Sequence, residues 1–187
     1  MHVLESKDVG SLSKFVGIHF LQCDDGSINI DQEQTIVERL DTVFRIFSRI
    51  RVPFGINDPS KPYDQILLPI KCTALSKKAT IIEFQSLTDS LLQLTRCTGP
   101  DIEFEVHNFT RSCHAPAFGD WKLAKRFAQY VSGARTTFQH MKLDDKPTFP
   151  LQLVSCADAD FAGDVDNRKL ISASIQFVNG LIAGSYC

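Results

Sequence analysis

No apolar run in this 187-residue sequence approaches the roughly 18 to 20 residues needed to cross a bilayer. The N-terminal stretch MHVLESKDVGSL lacks the basic flank and apolar core of a signal peptide. No membrane partner is therefore expected, and an intracellular setting is expected for a chain from which no leader has been removed. A secreted setting requires such a removal. Neither charge sign dominates: 20 basic and 22 acidic residues leave a net charge of −2, too little to draw the whole molecule onto nucleic acid. Any nucleic-acid surface must be local. The six cysteines (Cys23, Cys72, Cys97, Cys113, Cys156 and Cys187) form no CxxC pair and no regular spacing, which argues against a zinc knuckle or a disulfide framework. Reduced, mostly buried thiols are expected. No GxGxxG, Walker loop or GxSxG occurs, so nucleotide cofactors and serine-hydrolase chemistry have no support.

What is present is the composition of an ordinary globular chain, 43% hydrophobic and 22% charged, long enough for one compact domain over residues 1–187. Residues 12–30 read as a β-hairpin, with LSKFVGIHFLQ and SINI flanking a turn at Asp25-Gly26. Behind a cap at Asp31, Ile36, Val37, Leu40, Val43, Phe44, Phe47 and Ile50 recur at helical spacing and predict one amphipathic helix. A Pro-rich loop near residues 51–80 follows, with Pro53, Pro59, Pro62 and Pro69. Three helices should come next. Phe84, Leu87, Leu91 and Leu94 form the stripe of the first; Ile102, Val106 and Phe109 that of the second; Trp121, Ala124, Phe127 or Ala128, and Val131 that of the third. Gly99-Pro100 separates the first two, and Gly133 closes the last.

After Gly133 the runs TTFQHMKL, PLQLVSCADA, LISASIQFV and LIAGSYC are short and β-prone, the last two joined by Asn179-Gly180. The expected architecture is α+β: an N-terminal β-hairpin (12–30), an antiparallel thumb-like helical bundle within 31–133, and a small antiparallel C-terminal sheet within 134–187.

Taken in order, FVGI with its DDG turn, FQSLTDSLLQLTRCTGPDIEFEVHNFTR, DWKLAKRFAQYVSG and ADADFAGDVDNRK with a following strand hairpin resemble the C-terminal part of a Ty1/copia-type retrotransposon polyprotein. In that family the matching run leaves the reverse-transcriptase palm, crosses thumb-like helices and enters ribonuclease H. The resemblance covers roughly residues 12–187. It implies a polymerase metal motif upstream of residue 12, so the turn pair Asp24-Asp25 is not that motif. Where the family has Thr-Arg-Pro-Asp, this chain has Thr98, Gly99, Pro100 and Asp101. Its His-Trp is replaced by Asp120 and Trp121, and Gln93-Leu94 stands where a tyrosine and leucine follow the double leucine. Lys125 and Arg126 keep the family's Lys-Arg pair.

By the same resemblance Asp158 matches the first ribonuclease H aspartate, and Asp160 alternates onto the same strand face. That chemistry needs about four carboxylates around two divalent ions. The family's other carboxylates come from elements downstream of the strand hairpin, so the chain reads as truncated inside ribonuclease H, with Asp158 vestigial. Asp158 and Asp160 alone are a weak Mg²⁺ pair. No cofactor is expected, with Mg²⁺ entering only where another chain completes the site. An EF-hand beginning at Asp158 fails, because Ala162 and Lys169 stand at ligand positions five and twelve. His107, Cys113 and His114 match no tetrahedral zinc spacing.

Lys122, Lys125, Arg126 and Arg135 form the one basic cluster, suited to phosphate contact and equally to a solvated helix face; Arg39, Arg45, Arg49 and Arg51 would extend it. The terminal sheet, lacking the helices that cover ribonuclease H strands, must bury Ile175, Phe177 and Leu181 on the bundle or a partner and keeps an open edge. The expected function is a non-catalytic, domesticated or remnant element fragment that binds a protein partner, or itself, through that edge. The alternative is the nucleic-acid-binding portion of a reverse transcriptase, holding an RNA–DNA or DNA duplex and active only in the full-length polyprotein.

Overall fold

The computed structural model describes residues 13–46, 49–51, 62–70, 79–137, 139–142, 150, 152–160, 171–179 and 181–186. The chain is α+β, with two antiparallel sheets flanking the helices in chain order.

The first sheet holds β1 (Lys14–Phe15), β2 (Ile18–Gln22), β3 (Ile28–Asp31) and β4 (Gln139–Met141), in that spatial order. The run expected as one strand is two, folded at Val16-Gly17 so that Phe15 faces Ile18. Both turn residues have positive φ, 48° and 79°, as a two-residue hairpin turn requires. Gly17 is needed for a second reason. A Cβ there would lie 2.6 Å from Thr35 Oγ1, whose hydroxyl donates to the Gly17 carbonyl at 2.7 Å.

The strand expected within the C-terminal sheet, β4, instead pairs with β3, Asn29 facing His140. A side-chain hydrogen bond between those two residues at 2.7 Å and an ion pair from Lys142 to Asp25 at 3.1 Å fix it there. The 134–187 grouping is corrected accordingly. Residues 139–141 close the N-terminal sheet, and the C-terminal sheet begins at Leu153.

The first helix also departs from its pattern. α1 (Glu33–Ile36) widens at once into a π-helical stretch, Val37–Val43, and Arg45 then turns to φ 53°. Seven residues are about two turns of an α-helix, so Val43 should lie above Ile36. With i→i+5 bonding that alignment is lost: Ile36 and Leu40 are buried and Val43 is 66% exposed. Thr42 Oγ1 donating to the Val37 carbonyl, five residues back, marks the wider turn. Asp31 does not cap through a helical N-cap position; its Oδ1 accepts from the Glu33 amide at 3.2 Å from the end of β3. Phe47 lies outside the described residues, as do Pro53 and Pro59, while Pro62–Gln65 forms a 3₁₀ turn.

The helical body follows the sequence closely. α2 (Ile81–Thr98) starts with a full capping box: Thr80 Oγ1 accepts the Glu83 amide, and Glu83 Oε2 accepts the Thr80 amide at 2.8 Å. After a 3₁₀ turn at Pro100–Ile102 comes α3 (Glu103–Ser112), then α4 (Phe118–Gly133). Phe84, Leu87, Leu91, Val106, Ala124, Phe127 and Ala128 are at most 1% exposed. Fully burying each large side chain contributes about 1.5–3 kcal/mol. Phe109 sits between Phe84 and Phe127 with edge-to-face rings, centroids 6.4 and 5.5 Å apart. Trp121, expected inward, is half-buried at the border of this core.

Gly133 ends α4 where the chain passes close. Its Cβ position lies 2.8 Å from the Ile50 carbonyl, and the Ile50 amide donates to the Gln129 carbonyl. No helix among the described residues is long and apolar enough to cross a membrane.

The second sheet is a meander of β5 (Leu153–Asp160), β6 (Ile171–Val178) and β7 (Leu181–Tyr186). Val178 faces Leu181, leaving Asn179 and its neighbour as the turn; Asn179 has φ 49° and its Oδ1 accepts the Gln152 amide at 2.8 Å. Gly180 itself is outside the described residues.

Candidate functional site

Asp158 lies in the second half of β5, opposite Ala173 of β6, and is exposed. Strand alternation alone puts it there: the run Leu153–Asp160 has no Gly or Pro to interrupt extended chain. Its Oδ1 turns back to accept the Ala159 amide at 2.9 Å. Asp160 ends the strand, opposite Ile171; its side chain lies outside the described residues, as do Asp164 and Asp166. Among the described residues no group of three or more His, Cys, Asp or Glu side chains is placed to hold a metal ion. The donor set described at this strand is therefore one carboxylate.

The expected basic cluster is divided rather than pooled. Lys122 pairs with Asp64 of the 3₁₀ turn and lies 5.1 Å from the centroid of the Phe118 ring. Lys125 lies over the Trp121 ring at 5.8 Å, a cation–π arrangement. Arg126 shares their helix. Arg135, past the end of α4, reaches instead to Asp41 at 3.5 Å and Glu33 at 3.7 Å, beside a Ser132 hydroxyl that donates to Asp41 at 2.7 Å. Arg135 is thus committed to the first helix and does not join the other three. The partners Asp64 and Asp41 lie 58 and 94 residues away, which no local pattern could pair. Arg45 and the described residues Arg49 and Arg51 lie beyond the shortened helix and do not extend a helical stripe.

Asp120, which stands where the resembled family has a histidine, has a structural task. Its Oδ2 accepts the Ala117 amide at 2.8 Å. That is half of a capping box, since Ala117 has no side-chain oxygen to return the bond. Asp25 is equally occupied. It accepts the Ser27 hydroxyl at 2.6 Å and the Ser27 amide at 3.1 Å, and these bonds, with Lys142, hold its carboxyl well below the usual carboxylate range. Burial pushes the Cys97 and Cys113 thiols up, so both are poor nucleophiles at neutral pH. Cys156 is exposed on β5; Cys72 and Cys187 lie outside the described residues.

The least satisfied feature is β5 as an edge. Among the described residues it pairs only with β6, and every residue described from Leu153 to Ala159 is exposed, on both faces of the strand. Leu153 is 69% and Val154 44% exposed. The buried core contains no described residue of β5, β6 or β7. Ile175 and Phe177 are half-buried, and the Leu181 side chain lies outside the described residues. An edge strand of this kind presents alternate unpaired N–H and C=O groups along its length.

No protein-family profile matches this chain, and no solved structure matches it. It is similar to Secreted RxLR effector protein 161 of Plasmopara viticola, 26% identical over 99 residues that cover 53% of this chain and 67% of that protein.

Proposed function

We propose that this chain is a non-catalytic binding protein, descended from the reverse transcriptase and ribonuclease H region of a Ty1/copia-type element, that takes up an extended segment of a protein partner along β5. The observation that carries this reading is the long edge strand, exposed on both faces and carrying Leu153 and Val154. Backbone pairing would supply affinity and alternate side chains selectivity. Asp158, at an exposed position of that edge, favours a basic residue on the incoming strand. The element order supports the ancestry: a hairpin, four helices, a short strand returning to the first sheet, and a three-stranded meander with Asp158 in its first strand. Magnesium enters only where another chain supplies the remaining carboxylates.

The nucleic-acid reading rests on Lys122, Lys125 and Arg126. The Asp64 pairing of Lys122 and the diversion of Arg135 weigh against it. The similarity to a secreted effector supports, as a second reading, an effector role outside the producing cell, which secretion of the full-length gene product would test.

One pair of titrations separates protein from nucleic acid. An extended peptide of alternating Val and Lys should shift the backbone NMR signals of β5 and lose affinity in Val154→Lys. An RNA–DNA duplex should bind weakly and without steep salt dependence. Duplex binding that falls steeply with salt, with shifts on α4 and none on β5, overturns the proposal.

A further inference from the structure

Where α2 and α4 both end, the fold leaves a cleft of about 190 Å³. Its walls are apolar: Ile36 from α1, Leu94 from α2, Ile102 from the 3₁₀ turn and Val131 from α4. Its polar side is the Asp101–Tyr130 pair, the tyrosine hydroxyl donating to Asp101 Oδ2 at 2.7 Å. For scale, a dry apolar cavity of about 150 Å³ holds benzene. The space therefore suits one six-membered ring with a short stem.

The electrostatics are mainly negative, set against the partial positive charge of the α3 N-terminus, whose cap Ile102 lines the same cleft. Helix C-termini carry partial negative charge, about half an elementary charge each, and two converge here, at Thr98 and Gly133. Exposed Asp101 adds a negative charge, and among the described residues no cation pairs with it; its hydrogen-bond partner is the neutral Tyr130 hydroxyl. Two cations adjoin lining residues along the chain: Arg135, beside Ala134, is held by Asp41 and Glu33, and Arg96, beside Thr95, lies in the last turn of α2. Two hydroxyl donors of the lining point into the protein. Thr98 donates to Gln32 Oε1 at 2.7 Å and Thr95 to the Leu92 carbonyl at 3.1 Å. The cleft therefore offers acceptors and negative charge around an apolar floor. The same negative surroundings raise the Tyr130 hydroxyl above its ordinary titration range, chiefly through its bond to Asp101, then through burial and the Asp101 charge.

We infer that this cleft is a binding site for a small organic cation, a primary ammonium on a short stem carrying an apolar ring, with the ring against Ile102 and Val131 and the ammonium on Asp101. Gly99 is part of the cleft lining. A Cβ there would lie 3.7 Å from Asp101 Oδ1 in ordinary contact, and its φ of −124° suits any residue. Gly99→Arg should therefore fold and place a guanidinium beside Asp101, occupying the site from within.

The test is NMR titration of the full chain with 2-phenylethylamine and, as the neutral isostere, 2-phenylethanol. The expected result is shifts confined to Thr98–Ile102 and Tyr130–Thr137, with the amine binding about tenfold more tightly than the alcohol, about 1.4 kcal/mol. Asp101→Asn, which keeps an acceptor for Tyr130, should bring the two to equal affinity, and Gly99→Arg should abolish binding of both with an unchanged circular dichroism spectrum. Equal affinity of amine and alcohol for the unaltered protein, shifts elsewhere, or no binding up to the solubility limit would each overturn the assignment.

Discussion

The helical body and the C-terminal sheet meet solvent in opposite ways. In the first, three helices interlock around Phe84, Phe109 and Phe127, and apolar side chains at helical spacing vanish from the surface. In the second, the residues from Leu153 to Ala159 are exposed on both faces of β5, the hydrophobic Leu153 and Val154 among them. Helices satisfy their own backbone groups and need only bury a stripe; a meander satisfies its inner strand and leaves its outer ones to be completed. The difference makes the helical body the larger source of buried apolar area, and the proposed function places the partner on the sheet.

The largest expected contrast comes from truncating one side chain in each region. Phe109→Ala removes a ring packed on two others and should lower stability by about 3–5 kcal/mol in urea unfolding. Leu153→Ala, on the exposed strand, should change it by no more than about 0.5 kcal/mol. Comparable losses would erase the distinction. Next comes Gly133→Ala, whose methyl group would press on the Ile50 carbonyl. Against a helix-propensity gain of about 1 kcal/mol, the clash should leave a net loss of about 1–2 kcal/mol, and a net gain would show that the chain near Ile50 yields freely.

Smaller still is Tyr130→Phe, expected to cost about 0.5–1.5 kcal/mol near neutral pH. Because folding raises the tyrosine's pKa, that contribution is complete below its unfolded value of about 10 and is lost as pH rises through the folded one. The variant and the unaltered protein should therefore converge in stability above that value. The smallest effect is at the first sheet's turn, where Ser27→Ala removes the hydroxyl that depresses Asp25. A depressed carboxyl stabilises above its unfolded pKa of about 4 and loses that contribution as pH falls through the folded value. The variant should differ near neutral pH and converge with the unaltered protein in strong acid, as read by urea unfolding across pH.

The helical body was legible because its information is local. Gly99 with Pro100 and the Phe84–Leu94 stripe each act within a few residues, whereas the Thr80–Glu83 capping box, equally local, went unread. The class α+β and the meander's Asn179 turn were legible for the same reason. What escaped depends on distant partners or unusual backbone. Gln139–Met141 gives no sign that it will cross to β3; Val16 is a poor turn former held by the hairpin and by Thr35; and a helix that widens after Ile36 keeps a sequence that reads as ordinary amphipathic helix. Among candidate site residues, Asp158 was placed correctly on its strand, but the pairing of Lys122 with Asp64 and of Arg135 with Asp41 could not be read. The cleft at Asp101 left only the Gly-Pro break, which as sequence marks the end of a helix and nothing more.

Among the described residues β5 is an edge strand beside a well-packed helical body, and hydrogen exchange resolved by residue along the full chain tests this most directly. Buried amides of α2, α3 and α4 should exchange only with global unfolding, while β5 should show alternating protection, with amides directed at β6 slow and those between them fast. Uniform slow exchange of all the β5 amides would mean that the edge is already covered, and would contradict that expectation.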